Sequence, residues 1–141
     1  IPVVNQPVEI DGRYYVDGGI ACAVPLFEDI PCQCDKLVMV LTRHKGYRKN
    51  PVPEAMQKLY RRHFRSAPGL VDRLVTAPQR YNERMDRIDA LEEEGKVFVI
   101  RPRKPVTVSR IEKDVEKLTS LYHEGRRDAE FAYRDLLAFL G

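Results

Sequence analysis

The sequence is poor in the residues on which catalysis usually rests. Its 141 residues include three serines (Ser66, Ser109, Ser120), three cysteines (Cys22, Cys32, Cys34) and three histidines (His44, His63, His123). The serines stand in Arg-Ser-Ala, Val-Ser-Arg and Thr-Ser-Leu. None lies in a Gly-x-Ser-x-Gly elbow, the tight strand-to-helix turn that holds a nucleophile. No glycine-rich stretch offers an oxyanion hole. These residues alone therefore do not assemble a recognisable serine hydrolase site. Cys32-Gln33-Cys34 invites a metal reading, but no second Cys or His pair at finger-like spacing completes the roughly four ligands that zinc needs. No metal and no cofactor are expected. An odd cysteine count without a secretory leader suggests reduced thiols in a cytoplasmic setting. No histidine has a visible partner, and each reads as an exposed surface residue. Unbroken apolar runs such as Leu37 to Leu41 are far too short to span a bilayer. There is no basic-then-apolar leader and no initiating Met, so a fragment or a processed product is expected.

What is present is ordinary for a globular protein: 43% hydrophobic and 32% charged residues, with a net charge of +3. The distribution of charge says more than the total. Between Arg43 and Arg65 there are eight Lys or Arg and one acid, Glu54, giving +7 and leaving about −4 elsewhere. A basic face of this kind is either a solvated helix surface or a docking surface for an anionic membrane or a protein partner. No aromatic-rich basic strand motif accompanies it, so nucleic-acid binding is not expected. Cytoplasmic residence, with peripheral membrane contact as an option, follows.

The pattern along the chain is α/β. Val8-Glu9-Ile10, Asp11-Gly12 and Arg13-Tyr14-Tyr15-Val16 read as a β-hairpin, because Asp-Gly tolerates the positive φ of a two-residue turn. Asp17-Gly18-Gly19 must turn sharply again. Lys36 to Thr42 and Lys96 to Arg101 carry short apolar runs that fit strands buried on both faces. Helices between them imply a parallel pair with crossover helices. One helix carries Met56, Leu59, Tyr60 and Phe64. A short turn follows over Leu70 to Val75, and then a stripe from Tyr81 that closes at Gly95, a C-terminal cap. Ser109-Arg110-Ile111-Glu112 fits a capping box. Two further helices are expected after it, separated by Gly125.

Asp17 is the sharpest chemical candidate. It ends a strand, beside two residues without side chains, and ligand crevices in open α/β sheets lie outside strand ends. A carboxylate there can accept a proton from a nucleophile hydroxyl within hydrogen-bond reach. The competing reading is plain: Asp-Gly is also a common turn pair. The Tyr15-Val16 pair before it reads as strand core.

The run from Pro7 through Asp17-Gly18-Gly19, followed by Pro25 and the Lys36-to-Arg43 strand, resembles the late active-site segment of bacterial patatin-like phospholipases. Tyr47-Arg48-Lys49, Val99-Ile100-Arg101-Pro102 and the closing helices resemble the C-terminal extension of one bacterial subgroup. The resemblance covers nearly the whole chain. It implies a Ser–Asp dyad on a three-layer α/β/α fold. Asp17 would be the base, Gly18 and Gly19 would support the turn and the oxyanion, and an acyl lipid or carboxylic ester would be the substrate. It also implies that residues 1–43 close the catalytic domain and that residues 44–141 form an extension packed on it. The serine elbow and the oxyanion loop would precede Ile1, and the 141 residues alone would be inactive. The alternative is a non-catalytic α/β module that binds through the basic 43–65 segment. Truncation of the sheet would further expose an edge and invite homodimerisation through it.

Overall fold

The computed structural model describes residues 7–31, 33–109 and 111–141. Among the described residues four short strands and three α-helices follow in the order β1 (Val8–Ile10), β2 (Arg13–Tyr15), β3 (Leu37–Val40), α1 (Glu54–His63), α2 (Pro68–Glu93), β4 (Val97–Ile100) and α3 (Val115–Leu140). The architecture is thus mixed α/β, with two sheets of two strands each. The chain divides into two compact units. One comprises Ile1–Ile30 and Arg48–Asp86, the other Pro31–Tyr47 and Arg87–Gly141.

In the first unit β1 and β2 pair antiparallel, Val8 opposite Tyr15 and Ile10 opposite Arg13. Asp11 and Gly12 close the hairpin with φ of 50° and 74°. Both are left-handed, as a type I′ turn requires. Tyr15 and Val16, expected in the core, are about half exposed. A two-stranded hairpin has no second layer of its own to bury them. The apolar centre of this unit is Leu26, fully buried, with Val71, Leu74 and Met85 of α2.

α2 corrects the expectation of two separate helical pieces. It is one helix of 26 residues that runs through Pro78. An interior proline removes a backbone hydrogen bond and costs about 3 kcal/mol. The apolar stripe Val71, Leu74, Pro78, Tyr81, Met85, Ile88 nevertheless keeps a three-four spacing across it. Val71, Leu74, Met85 and Ile88 of that stripe are buried. Continuous burial of one face outweighs the local penalty. The helix ends as expected at Gly95, whose φ is 70°. Gly95 N–H donates to Glu92 O, and Lys96 N–H donates to Leu91 O. That is the Schellman pair of bonds that satisfies a helix C-terminus.

In the second unit β3 and β4 pair parallel, Leu37 beside Val97 and Val40 beside Ile100. Leu41 N–H extends the ladder to Ile100 O. The expectation that β3 is buried on both faces is not met. Met39 is buried, but Val40 is 73% exposed and Val38 is also exposed. A two-stranded sheet needs more cover than this unit supplies over that face. α3 packs along β4, with the Phe139 ring 5.6 Å from that of Phe98. Lys36 Nζ donates to the carbonyls of Phe139 and Leu140 and so caps the C-terminus of α3 with a cation.

α3 also differs from the sequence reading. Gly125 does not divide it: a single helix of 26 residues runs through that position. One glycine costs about 1 kcal/mol in a helix interior, less than continuation of the helix and packing on β4 return. Its N-cap is Asp114, whose Oδ1 accepts from Glu116 N at 3.0 Å and Lys117 N at 3.2 Å. Ser109 lies five residues earlier and caps nothing, and Arg110 of the expected box falls outside the described residues. The acid already placed beside the helix start displaces the box. Asp114→Ala should therefore lower stability by about 1 kcal/mol. Ser109→Ala should change it by less than about 0.5 kcal/mol. Thermal unfolding of the two variants measures both.

Candidate active site: the Asp17 turn and its brace

Asp17 leaves the hairpin in an extended conformation, φ −51° and ψ 123°, and caps a 3-10 turn, Gly18–Ile20. Its Oδ1 accepts the Gly19 N–H at 2.8 Å. Ile20 N–H closes the turn on Asp17 O at 3.0 Å, and Ala21 and Cys22 N–H both donate to Gly18 O. The side chain is exposed. Among the described residues no hydrogen bond or ion pair occupies Oδ2. One carboxylate oxygen is thus fixed by the backbone while the other stays open, the arrangement a positioned base needs.

The two glycines work differently from a simple tight-turn requirement. Neither has a positive φ. A Cβ on Gly19 would sit 3.1 Å from Asp17 Oδ1, so a side chain there would crowd the carboxylate. A Cβ on Gly18 would meet nothing within 4 Å. The Gly19 N–H is already committed to Asp17.

The turn is held from behind by α2, through residues that the sequence did not single out. Arg80 Nη1 donates to Ala21 O at 3.0 Å, and Nη2 donates to Ile20 O at 2.8 Å and to Arg73 O at 2.8 Å. Its Nε donates to Thr76 Oγ1 at 3.3 Å. All three guanidinium nitrogens are in use, and the planar fork fixes direction as well as distance. One helical turn further, Arg84 Nη1 lies 2.9 Å from Glu28 Oε1 and 3.0 Å from Asp29 Oδ2. Asp29 also accepts the Leu26 N–H at 3.0 Å. Asn82 holds residue 49 from both sides: its Oδ1 accepts Lys49 N–H, and its Nδ2 donates to Lys49 O. Arg48 pairs with Asp86. Residues 80–86 of α2 thus anchor the loop after Asp17 and the chain before α1. Only their sequence separation, near sixty residues for Arg80 and its partners, hid this.

The remaining candidates are placed as follows. Ser66, Ser109 and Ser120 are exposed, and among the described residues none is hydrogen-bonded to Asp17. His63 and His123 are exposed. His44 corrects the surface reading: it is half-buried, and its Nδ1 is buried without a hydrogen-bond partner among the described residues. Its ring stands edge-on to Tyr47. Cys22 and Cys34 are free thiols, and Cys32 lies outside the described residues. No cluster of three potential metal ligands occurs among the described residues. At the carboxyl ends of β3 and β4, Lys45, Glu92, Arg101, Arg103, Asp128 and Phe131 line an open groove of about 420 Å³. Its charges largely compensate one another, since Arg101 pairs with Asp89 and Glu92, and Lys45 with Glu92.

Two outcomes follow from the brace. Arg80→Ala should free the Ile20 and Ala21 carbonyls, and amide hydrogen exchange at Ile20, Ala21 and Cys22 should quicken by about tenfold or more. Unchanged exchange would mean that the turn holds itself. The second outcome concerns Asp29, whose carboxyl is held below the ordinary aspartate pKa, first by the Leu26 N–H and then by the Arg84 charge. Hydrogen bonds from Cys22 and Arg84 add to this, and lost hydration opposes it. A depressed folded-state pKa adds stability above the ordinary aspartate range and loses it as pH falls through the lowered value. The stability gap between the wild type and Asp29→Asn should therefore shrink on acidification, as read by chemical unfolding at several pH values.

Comparison with known proteins adds a family but no activity. No curated protein and no solved structure matches the chain. Among the described residues no helix is long and apolar enough to cross a membrane. Residues 67–141, which include the bracing arginines of α2, β4 and all of α3, match the family described as Domain of unknown function (DUF6363). The match spans more than half of the 141 residues, and the chain belongs to the DUF6363 family.

Proposed function

We propose that this chain is the aspartate-bearing part of a patatin-like lipid acyl hydrolase, with Asp17 as general base. The observation that carries the reading is the geometry of that carboxylate. It ends a hairpin strand, one oxygen is fixed by Gly19 N–H and the other is open, and two bare residues follow. The likeness of the Pro7-to-Gly19 run to the patatin-like active-site segment supplies the reaction class. On this reading the nucleophilic serine and the oxyanion donors, which these 141 residues do not supply, would come from further polypeptide, on a three-layer α/β/α fold that the hairpin would join.

In this mechanism Asp17 Oδ2 takes the proton of the serine hydroxyl as Oγ attacks the ester carbonyl. Collapse of the tetrahedral intermediate expels the alcohol, which takes that proton from Asp17, and leaves an acyl-enzyme. Water then attacks the acyl-enzyme and gives a proton to Asp17; collapse of the second tetrahedral intermediate releases the fatty acid and returns that proton to serine Oγ, which restores the free serine and the Asp17 carboxylate. A carboxylate is an inherently weak base, so it depends on direct contact with the hydroxyl and on a dry pocket.

The test is hydrolysis of a p-nitrophenyl acyl ester by the longer polypeptide. Asp17→Asn should lower kcat by roughly a thousandfold, within the range for loss of a general base, with the fold intact by circular dichroism. A folded Asp17→Asn variant with activity within about twofold of wild type would remove Asp17 from the chemistry. The 141 residues alone should hydrolyse nothing.

A second reading has one observation in its favour. Within the basic segment, Arg43 lies over the Tyr47 ring, Lys45 pairs with Glu92, Arg48 with Asp86, and Lys49 lies over Tyr81. Lys58, Arg61, Arg62 and Arg65, on and just beyond α1, are exposed, beside exposed Met56 and Leu59. A peripheral contact with anionic lipid through α1 would show as salt-sensitive liposome binding that is lost in Arg61→Gln/Arg62→Gln and indifferent to Asp17.

A further inference from the structure

α3 buries none of its described residues below the surface, although it is rich in large apolar side chains. Part of the reason is that it has two apolar faces. Leu121, Ala132, Leu136 and Phe139 are half-buried, and Phe139 meets Phe98 of β4. A second stripe is turned away from that face: Val115, Leu118, Tyr122, Ala129, Tyr133, Leu137 and Leu140. The large members of this stripe are 42–73% exposed. Arg126 is its one charged member.

The spacing of the stripe is unusual. Positions 115, 118, 122, 126, 129, 133, 137 and 140 advance by three, four, four, three, four, four, three. A three-four-four step is an 11-residue repeat, about 3.67 residues per turn. It runs almost straight along an α-helix, over about 39 Å for 26 residues. The spacing reads the same in both directions, and the apolar or aromatic character does so in three of the four pairs. Read inward from the ends, Val115 corresponds to Leu140, Leu118 to Leu137, Tyr122 to Tyr133, and Arg126 to Ala129. A two-fold interface requires a surface that is complementary to itself when reversed, and this stripe has that property.

We propose that this face of α3 is a two-fold, antiparallel interface to a second copy of the chain. In that arrangement leucine meets leucine and tyrosine meets tyrosine on either side of the axis. Arg126 lies against Ala129 of the second copy, within a turn of that copy's Glu130. The charge pair that closes within one helix, Arg126 Nε to Glu130 Oε1 at 2.8 Å, can then close between helices, twice by symmetry. The six large side chains expose on the order of 700 Å² per chain, the upper bound of what they can bury, against the ~800 Å² that each partner buries in an ordinary stable interface. The proposal is independent of the hydrolase reading. It also differs from pairing at a sheet edge, because no strand takes part.

The test uses the full 141-residue chain in sedimentation equilibrium up to about 100 μM. A dimer is expected. Tyr122→Glu should raise its dissociation constant by about 30-fold or more, the scale for loss of a central aromatic anchor, with helix content unchanged by circular dichroism. Register is read by mixing Tyr122→Cys and Tyr133→Cys proteins under mild oxidation and sequencing the linked peptides. Links between positions 122 and 133, formed in the mixture and with neither variant alone, support the antiparallel interface. A monomer throughout the concentration range would overturn it. So would 122-to-122 links, which mark parallel helices, or a dimer indifferent to Tyr122→Glu, which would place the contact elsewhere.

Discussion

The guanidinium of Arg80 is the constraint on which the candidate site depends. The chain after Asp17 has no regular sheet to hold it, only a 3-10 turn and a loop. A turn so short contributes little stability by itself, because each ordered residue costs about 1–2 kcal/mol of backbone entropy. Arg80 offsets this by taking two consecutive carbonyls of that turn on one rigid fork, while its remaining donors lock onto its own helix. Arg84 repeats the device one turn later on Glu28 and Asp29. The direction in which Asp17 presents its open oxygen follows from how firmly the next three residues are held. In the proposed enzyme this long helix would serve the catalytic apparatus without touching substrate.

This gives the DUF6363 segment a physical role within the proposed enzyme. The match begins at residue 67 and so covers α2 from its first turn, but it does not include Asp17. Asp17 and its brace therefore lie on opposite sides of the family boundary. The two-fold face proposed for α3 lies wholly within the match and serves a different end, since it concerns association and leaves the Asp17 turn untouched.

Local signals carried much of the structure into view. The hairpin was legible because Asp11-Gly12 is one of the few pairs that accept positive φ at both turn positions. The two apolar runs at 37 and 97 marked the parallel pair, and Gly95 marked the end of α2. What failed were inferences that a local breaker must act locally. Pro78 and Gly125 each stand inside a helix, because an uninterrupted apolar face rewards continuation more than either residue penalises it. The burial of β3 was over-read: a continuous apolar run says that both faces can be covered, and the two strands and one helix here cover little more than one. Ser109 lost its expected role to Asp114, which stands directly at the helix start. Asp17 was visible as a carboxylate beside two glycines. Its brace was not, since arginines at i and i+4 on a helix look like any solvated face until their partners are known. His44 likewise looked like surface until the loop after β3 folded it against Tyr47.

The most direct measurement is the distance from Asp17 to the reacting serine in the longer polypeptide. A crystal structure of that polypeptide after reaction with a fluorophosphonate would give it, because the reagent marks an activated serine covalently. The proposed dyad requires a phosphonylated serine whose Oγ lies within about 3 Å of Asp17 Oδ2, with the Arg80 bonds to Ile20 and Ala21 intact. A polypeptide that takes up no fluorophosphonate, or a labelled serine remote from Asp17, would contradict it and return Asp17 to the status of a turn residue.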